Sequence, residues 1–315
     1  MNRLAGPRIG IDLGGTKIEG LLIDGAGRDL QRCRIPSPQN DYAASVMAIV
    51  ALVRTLEGAA NLASVPAGLG IPGSISRKTG LVQNANSTWL NGRPMERDIA
   101  SALGRHVPIA NDANCFALSE ARDGAGSDAA SVFGVILGTG TGGGLVQKGV
   151  LVEGARGIGG EWGHNPLPWM EPDEYPGPRC WCGRRGCMET WVSGPGLAAD
   201  HSRITGQITG QITGMSLTAE QVAAAADDGD VAARATLQRH AGRLARGLAH
   251  VINIFDPEVI VLGGGLSKLQ HLYAELPALV GPHVFADAAS VAIKPPRWGD
   301  ASGVRGAAWL AGTQV

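Results

Sequence analysis

Three segments of this chain share one design, an apolar strand-like run that ends in a glycine-rich turn. The turns are residues 14–16, 138–144 and 263–265. Glycine lets backbone amides approach a ligand closely, and a turn of successive amides can hold a phosphate. After the first two turns the chain becomes apolar again, so the second segment repeats the first. We expect the three turns to converge on one nucleotide.

The bulk composition narrows the class of protein. The chain has 315 residues, 44% of them hydrophobic, which is enough to fill the cores of two domains. Its formal net charge is -1, so no basic surplus favours a nucleic-acid partner. The N-terminus lacks the apolar core of a signal peptide, and no run of about 18 apolar residues predicts a membrane span. We therefore expect a cytoplasmic protein with no membrane partner.

Hydrophobic periodicity places strands and helices around the turns. The run 9–13 alternates like a strand, and 21–23 is expected to be its antiparallel partner. Apolar residues recur at helical spacing over 42–57. Most of 219–254 is also helical in pattern, with a break at 227–230. The mixture predicts an α/β protein.

A short repeat stands apart from every motif that carries chemistry. The sequence Ile-Thr-Gly-Gln recurs between residues 204 and 214. A period of four residues is too short to build a solenoid, so we interpret the repeat as the expansion of a surface loop.

The turn 138–144 formally matches the dinucleotide-binding pattern Gly-x-Gly-x-x-Gly. That pattern requires a helix after the turn, whereas Leu145-Val146 indicates the second strand of a hairpin. The chain also contains no Walker-type phosphate loop. We interpret the turn as a hairpin whose amides and threonine hydroxyls contact phosphates, with a plain tight turn as the alternative. The candidate residues in this turn and the third one are Gly138, Thr139, Gly140, Thr141, Gly263, Gly264 and Gly265.

Asp12 ends the first strand, directly before the first glycine turn. An aspartate there can cap the turn through its side chain, or it can hold Mg²⁺ through water near the β- and γ-phosphates of a nucleotide. Magnesium is favoured because the glycine turn recurs twice. The expected ATP and magnesium residues of this segment are Asp12, Gly14, Gly15, Thr16 and Lys17.

Asn111-Asp112 lies between a short apolar run and an evident helix. Asparagine and aspartate are favoured at a helix N-cap, which is one interpretation of the pair. The other is that Asp112 projects from this junction and accepts a proton from a substrate hydroxyl. The two interpretations are compatible.

A metal-type cluster occupies the middle of the chain, with His164 followed by Cys180, Cys182 and Cys187. The total of five cysteines is odd, and three of them are crowded together, which disfavours a disulfide framework. Four nitrogen and sulfur ligands suit a closed tetrahedral zinc site, which is expected to be structural because no coordination position stays open. Reduced structural thiols or a redox pair are the alternatives.

Two glutamates flank the metal-type cluster. Glu161 lies three residues before His164, and Glu189 lies two residues after Cys187. A bound zinc would hold both carboxylates around one pocket. Carboxylates accept hydrogen bonds from neighbouring hydroxyls, as a polyol ligand requires.

One set of motifs now covers most of the chain: Asp12-Leu13-Gly14-Gly15-Thr16-Lys17, Asn111-Asp112, Glu161-Trp162-Gly163-His164 and Cys180-Trp181-Cys182-Gly183-Arg184-Arg185-Gly186-Cys187-Met188-Glu189. Together these motifs resemble the ROK family of sugar kinases and repressors. The resemblance implies the actin-like ATPase fold, which is ribonuclease H-like and duplicated, with two α/β domains around a cleft. We place a small N-terminal domain at 1–118 plus 300–315, where a helix near 303–310 returns to it. The large domain with the zinc loop is placed at 119–299.

The resemblance also implies roles for individual side chains. Asp112 is expected to be the catalytic base, ATP the co-substrate with Mg²⁺, and His164 a ligand of both the zinc and the sugar. The sugar contacts are expected from Asn86, Asn111, Asp112, Glu161, His164 and Glu189. A homodimer is expected from the family.

Within the family, residues 70–76, 84–92 and 161–169 look like those of bacterial ATP-dependent fructokinases, also called mannokinases. We therefore expect phosphorylation of D-fructose to fructose 6-phosphate. The alternatives within the family are an N-acetylglucosamine kinase and a glucokinase or mannokinase.

Two other classes of protein stay open. ROK repressors carry an N-terminal helix-turn-helix domain, for which the eleven residues before Asp12 leave no room, so a sugar-responsive regulator without that domain is one alternative. The other is a nucleotide-driven conformational machine of the actin or chaperone type, which lacks the paired glutamates of the zinc loop. Sugar-dependent ADP production separates a kinase from both.

Overall fold

The computed structural model describes residues 6–206, 217–287 and 291–312. The chain divides into two compact units. Unit 1 consists of Met1–Ala130, Gly144–Gly160 and Arg297–Val315, and unit 2 consists of Ser131–Gly143 and Glu161–Pro296. The domain boundaries placed at residues 118 and 300 stay a prediction.

The strands of the described residues are mostly short and buried. In chain order they are β1 (Arg8–Leu13), β2 (Lys17–Ile23), β3 (Asp29–Pro36), β4 (Ala67–Ile71), β5 (Ser74–Ile75), β6 (Val82–Gln83), β7 (Ile109–Asn111), β8 (Ser131–Leu137), β9 (Thr141–Gln147), β10 (Val150–Leu151), β11 (Val259–Gly263) and β12 (Ala292–Lys294).

The two five-stranded sheets repeat one design. The first has the order β3-β2-β1-β4-β7 and the second the order β10-β9-β8-β11-β12. In the first sheet β1 pairs antiparallel with β2 and parallel with β4. In the second sheet β9 and β10 are antiparallel, whereas β8 and β11 are parallel. The repetition predicted from the first two glycine turns is therefore present in the sheets.

The helices of the described residues connect these strands. They are α1 (Tyr42–Ala59), α2 (Met95–Leu103), α3 (Asp112–Arg122), α4 (Glu189–Val192), α5 (Gly194–Thr205), α6 (Ala219–Asp227), α7 (Val231–Phe255), α8 (Gln270–Val280) and α9 (Ser302–Leu310). The predicted break between the two helices near residue 228 is confirmed, because the Asp230 side chain caps α7 by accepting from the Ala233 N–H. Of the Ile-Thr-Gly-Gln repeat, only residues 204–206 are described, at the end of α5, so the surface-loop prediction falls mostly outside the described residues.

The strand β3 was not predicted from the sequence. Half of its residues are polar or charged, and most are exposed. It lies at the edge of the first sheet, where one side of the strand has no neighbour and apolar alternation is not needed. Similarly, β2 begins at Lys17, earlier than the apolar run at 21–23 indicated.

Helix α9 packs directly on the backbone of the first sheet in unit 1. A Cβ atom at Gly10 would lie 2.0 Å from the carbonyl oxygen of Val304, and one at Gly68 would lie 2.2 Å from that of Ala307. No side chain fits at either position, so glycine in β1 and β4 is what permits this close approach. This close packing of α9 on the sheet places the N-terminal end of α9 near the end of β1.

Helix α1 is long and apolar enough to cross a membrane by length and composition alone. A core helix of a globular domain passes the same test. The buried side chains of α1, among them Ile49, Val53 and Leu56, belong to the apolar core of unit 1. The Asp41 side chain caps its N-terminus by accepting from the Ala44 N–H. We interpret α1 as a core helix of unit 1.

A buried ion cluster holds unit 2 together. The Arg243 side chain on α7 is only 2% exposed, with its Nε 2.8 Å from Glu174 Oε1 and its Nη1 3.0 Å from Asp200 Oδ1. Its guanidinium also lies over the ring of Trp191. Burial alone would raise the pKa of Glu174 and of Asp200, but the neighbouring arginines outweigh burial and lower both.

Removing Arg243 should destabilise the protein strongly. We expect Arg243→Met to lower the free energy of unfolding by about 3 to 5 kcal/mol, since two buried carboxylates lose a shared cation. Urea denaturation measures the loss. Arg239→Met is the matched control, because Arg239 also pairs with Asp200 but is 27% exposed, and a smaller loss is expected. Equal losses in the two variants would contradict the assignment of Arg243 as the central cation.

Candidate active site

Asp12 lies at the end of β1 in unit 1, and two glycines make room for its carboxylate. A Cβ atom at Gly303 would lie 3.2 Å from Asp12 Oδ2, and one at Gly70 would lie 3.4 Å from Oδ1. Burial, followed by the charges of Asp112 and Glu19, raises the pKa of Asp12 to about 7. Carboxylates that disfavour each other's charge are stabilised by a divalent cation. These residues therefore fit the expected magnesium ion.

Asp112 is the first residue of α3, as its position after a short strand predicted. Its Oδ1 accepts a hydrogen bond from the Ala113 N–H at 2.8 Å. Asp112 as a whole is exposed to solvent, but protein atoms surround its carboxylate closely. The carboxylate therefore loses hydration, which raises its pKa. An Asp112 carboxylate with a raised pKa is a better proton acceptor than an ordinary one.

Asn111 has the structural role that its residue type predicted. Its Oδ1 accepts from the Ala113 N–H at 2.9 Å and caps α3, while its Nδ2 donates to the carbonyl of Gly73 at 3.1 Å. Each end of the carboxamide is thus engaged once, although an amide group can make further hydrogen bonds. A sugar contact by Asn111 stays a prediction.

The loop that carries Asn86 is held by backbone contacts within unit 1. The Asn91 side chain accepts from the Ala85 N–H and donates to the Ala85 carbonyl, both at 2.9 Å. A Cβ atom at Gly73 would lie 2.7 Å from the Ala85 nitrogen, so the loop held by Asn111 packs against the loop of Asn86. The Asn86 side chain itself is exposed.

The four metal-type side chains of unit 2 come together. Their ligand atoms all lie within 4.8 Å of one another. His164 Nδ1 is 3.6 Å from Cys180 Sγ, and the Sγ atoms of Cys182 and Cys187 are also 3.6 Å apart. Zinc bonds of about 2.3 Å to sulfur and 2.0 Å to nitrogen put tetrahedral ligand atoms about 3.5 to 3.8 Å apart. The donor atoms therefore fit a tetrahedral zinc ion.

The thiols of this cluster need a cation to ionise together. Burial, with the neighbouring thiols, raises the pKa of Cys187 to about 12. Coordination to a dication overrides this effect, because a metal-bound thiol is deprotonated. The identity of the metal as zinc stays a proposal.

Glu161 and His164 are placed by a short 3₁₀ turn, Trp162–His164, that is seated on the start of β9. The Trp162 indole N–H donates to the Gly142 carbonyl at 2.9 Å. A Cβ atom at Gly163 would lie 2.0 Å from the Thr141 carbonyl oxygen, so only glycine fits there. The glutamate and the histidine are thus anchored to the same strand that follows the second glycine turn.

Glu189, the first residue of α4, accepts hydrogen bonds at both carboxylate oxygens. Its Oε2 accepts from the Thr141 backbone N–H at 3.0 Å, and its Oε1 accepts from the Trp181 indole N–H at 2.7 Å. Thr141 was predicted as a phosphate contact and Glu189 as a sugar contact. In unit 2 the backbone N–H of Thr141 and the side chain of Glu189 are hydrogen-bonded to each other.

Two of the three glycine turns lie side by side. Gly264, with a φ of 79°, approaches the end of β8 so closely that a Cβ atom there would lie 2.4 Å from the Leu137 carbonyl oxygen. Gly138, the next residue, begins the second turn. The first turn belongs to unit 1 and is closed by a hydrogen bond from the Gly14 N–H to the Lys17 carbonyl at 2.9 Å. Its convergence with the other two stays a prediction.

Sequence reasoning missed three residues of these sites: Gly70, Gly303 and Trp181. The two glycines border Asp12 across long sequence separations, so no local pattern indicates them. The sequence does contain one indication for Trp181, because a large aromatic residue between two metal-type cysteines is conspicuous. A hydrogen bond from that residue to Glu189 could not be read from the spacing.

Comparisons with known proteins agree with this architecture. The model of the ROK family matches residues 8–314. An N-acetyl-D-glucosamine kinase of Yersinia enterocolitica is 38% identical over 306 residues, covering 96% of this chain and 98% of that protein. The structure of a ROK hexokinase from Thermus thermophilus is similar with a TM-score of 0.83 at 29% identity, covering 96% of this chain and 97% of that one. A ROK family glucokinase from Streptomyces griseus, in complex with glucose and AMPPNP, has a TM-score of 0.74 at 29% identity, covering 96% of this chain and 98% of that one.

The paired sheets and the glycine turns at their strand ends define a protein of the actin-like ATPase fold, as the motifs predicted. The chain belongs to the ROK family.

Proposed function

We propose that this protein phosphorylates N-acetyl-D-glucosamine with ATP. The coarser assignment, a sugar kinase of the ROK family, rests on the family match over residues 8–314 and on the similar kinases. The observation that carries the finer proposal is 38% identity to an N-acetyl-D-glucosamine kinase across nearly the whole of both chains.

The expectation of fructose as substrate is not supported by these relatives. It depended on the segments 70–76, 84–92 and 161–169. In unit 1, Gly73 packs on Ala85, and in unit 2 Gly163 packs on Thr141, so these segments contain residues that set backbone packing. Residues that set backbone packing do not by themselves identify the hexose. Of the activities expected within the family, that of an N-acetylglucosamine kinase is better supported than that of a fructokinase.

Each unit supplies part of the proposed machinery. Unit 1 contributes Asp112 as base and Asp12 for the magnesium ion, with Asn86 and Asn111 as proposed sugar contacts. Unit 2 contributes the other proposed sugar contacts, which are Glu161, His164 and Glu189. Because His164 Nδ1 faces the Cys180 sulfur, its Nε2 is the nitrogen that we assign to the sugar.

The proposed base works by orientation more than by strength. We assign the sole primary hydroxyl of N-acetylglucosamine, on C6, as the group that Asp112 holds. A carboxylate is a far weaker base than an alkoxide, so Asp112 orients the hydroxyl and accepts its proton late in the transfer. The raised pKa of Asp112 favours this proton transfer.

The proposed co-substrate and metal ions have residues that fit them. Asp12 would hold Mg²⁺, which neutralises the phosphate charge when it is bound. The Gly14 and Gly138 N–H groups close their own turns by donating to the carbonyls of Lys17 and Gly140. The backbone amides of Gly15 and Gly140 and the hydroxyls of the threonines beside them are proposed to contact phosphates, with the adenosine end near Gly263–Gly265. Zinc would be structural, since four protein ligands leave no open position.

A coupled ADP-release assay over N-acetylglucosamine, glucose, mannose and fructose tests the proposal. We expect kcat/KM for N-acetylglucosamine to exceed that for each of the others by at least about 10-fold, because a site that binds a polar amide group discriminates against sugars without it. A higher value for fructose would contradict the proposed substrate. Failure to release ADP with any of these sugars would favour the sugar-responsive regulator instead.

Two further expectations stay predictions. The homodimer rests on the resemblance, and sedimentation of the purified protein tests it. The cytoplasmic location is predicted from the sequence alone.

A further inference from the structure

A tryptophan stands between two of the candidate zinc ligands and reaches a candidate sugar ligand. Trp181 lies between Cys180 and Cys182, and its side chain is 67% exposed. Its indole N–H donates to Glu189 Oε1 at 2.7 Å. Its ring meets the His164 ring edge to face, with the centroids 5.0 Å apart. Trp181 therefore contacts two of the three side chains that unit 2 is proposed to offer the sugar.

The backbone around Trp181 is held in a tight turn. The Cys180 N–H donates to the Arg184 carbonyl at 2.8 Å, and the Gly183 N–H donates to the Cys180 carbonyl at 3.0 Å. Gly183 has a φ of 89°, which favours glycine. Metal coordination at Cys180 and Cys182 would restrain the same turn, so the indole is carried on a rigid support.

Glu189 is thereby held from two directions. The Thr141 backbone N–H fixes Oε2, and the Trp181 indole N–H fixes Oε1. Each carboxylate oxygen has two lone pairs. Oε2 therefore retains one for a ligand hydroxyl, whereas Oε1 also lies 3.9 Å from the Cys180 sulfur. A hydrogen bond to a carboxylate is stronger than one between neutral groups and restricts the side chain to one orientation.

We infer that Trp181 is a positioning residue of the sugar site, whose indole N–H orients the Glu189 carboxylate for the hydroxyls of the bound sugar. This inference rests on the proposed function, because it takes Glu189 as a sugar ligand. It adds a specific residue between the zinc ligands to the sugar-binding apparatus. Its effect is on affinity for the sugar and not on the transfer step.

The test is Trp181→Phe in the full-length, zinc-loaded protein. Phenylalanine keeps an aromatic ring and removes the N–H donor. We expect the KM for N-acetylglucosamine to rise about 3- to 10-fold, the value of one hydrogen bond, with kcat and the KM for ATP unchanged within about 2-fold. The matched control is Trp169→Phe, since Trp169 is 53% exposed in the same unit and stacks on His283 instead. The control should keep the wild-type KM for the sugar.

Three results separate this inference from the proposed function. If the wild-type protein phosphorylates N-acetylglucosamine and Trp181→Phe retains its KM, the positioning role is wrong. If Trp181→Phe loses zinc, or raises the KM for ATP as much as that for the sugar, Trp181 only supports the fold and the inference is also wrong. If the wild-type protein phosphorylates no sugar, the proposed function itself fails.

Tryptophan fluorescence gives a readout that does not need turnover. Addition of N-acetylglucosamine without ATP should change the emission of the wild-type protein and of Trp169→Phe, because the indole of Trp181 adjoins the proposed sugar ligand. The change should largely disappear in Trp181→Phe. An equal change in all three proteins would overturn the assignment.

Discussion

Asp112→Asn should lower kcat about 10²- to 10⁴-fold and leave the affinity for the sugar nearly unchanged. The substitution keeps the shape of the side chain and removes the proton acceptor. The cap of α3 is provided by Asn111, so the helix should still form. Steady-state ADP release gives kcat, and calorimetric titration with N-acetylglucosamine gives the dissociation constant.

Asp41→Asn is the matched control for Asp112→Asn. Asp41 also carries a carboxylate at a helix N-terminus of unit 1, where it caps α1 by accepting from the Ala44 N–H. Asparagine caps a helix about as well as aspartate, so neither stability nor kcat should change much. A near-normal kcat in Asp112→Asn would remove Asp112 from the role of base. An equal loss in both variants would point to a general effect of charge.

Cys187→Ser should abolish zinc binding and weaken sugar binding more than ATP binding. Cys187 is buried, and the segment after it is tied to the turn of His164 because the Met188 N–H donates to the Asn165 carbonyl at 2.8 Å. Loss of one ligand should release both His164 and Glu189 from their orientations. We expect the KM for the sugar to rise by about 10- to 100-fold.

Elemental analysis and kinetics check this second prediction. About one zinc per chain is expected in the wild-type protein and close to none in Cys187→Ser. Cys33→Ser is the control, because Cys33 is a half-buried thiol on the edge strand β3 of unit 1 and is not one of the four metal-type side chains. Its loss should change neither the zinc content nor the KM for the sugar. Wild-type protein that contains no zinc after purification in metal-replete buffer would contradict a structural zinc site.

The fold could be predicted largely from local patterns. The strand β1 alternates apolar with other residues, β8 and β11 carry apolar runs, and each leads into a glycine turn; the sheets confirm all three strands. The edge strand β3 was missed because its exposed residues show no apolar alternation. The resemblance implied that a helix near 303–310 returns to the N-terminal part of the chain, but its close packing on Gly10 was missed, since a contact between distant segments leaves no periodic signal.

The candidate site was predicted unevenly for a similar reason. The metal ligands could be recognised because chemistry and short spacing identify them together. The bond between Thr141 and Glu189 joins residues that had been assigned to different ligands. Only the packing of β9 against α4 brings that amide to that carboxylate.

The sequence by itself determined which groups can perform chemistry: the glycine turns, the aspartate at the strand end, the aspartate at the start of α3 and the four metal-type side chains. These follow from residue type and spacing along the chain, which act over a few residues. The tertiary structure decided the surroundings of those groups. Gly303 lies against Asp12 and Trp181 bonds to Glu189, because close packing and hydrogen bonding select partners by position in space.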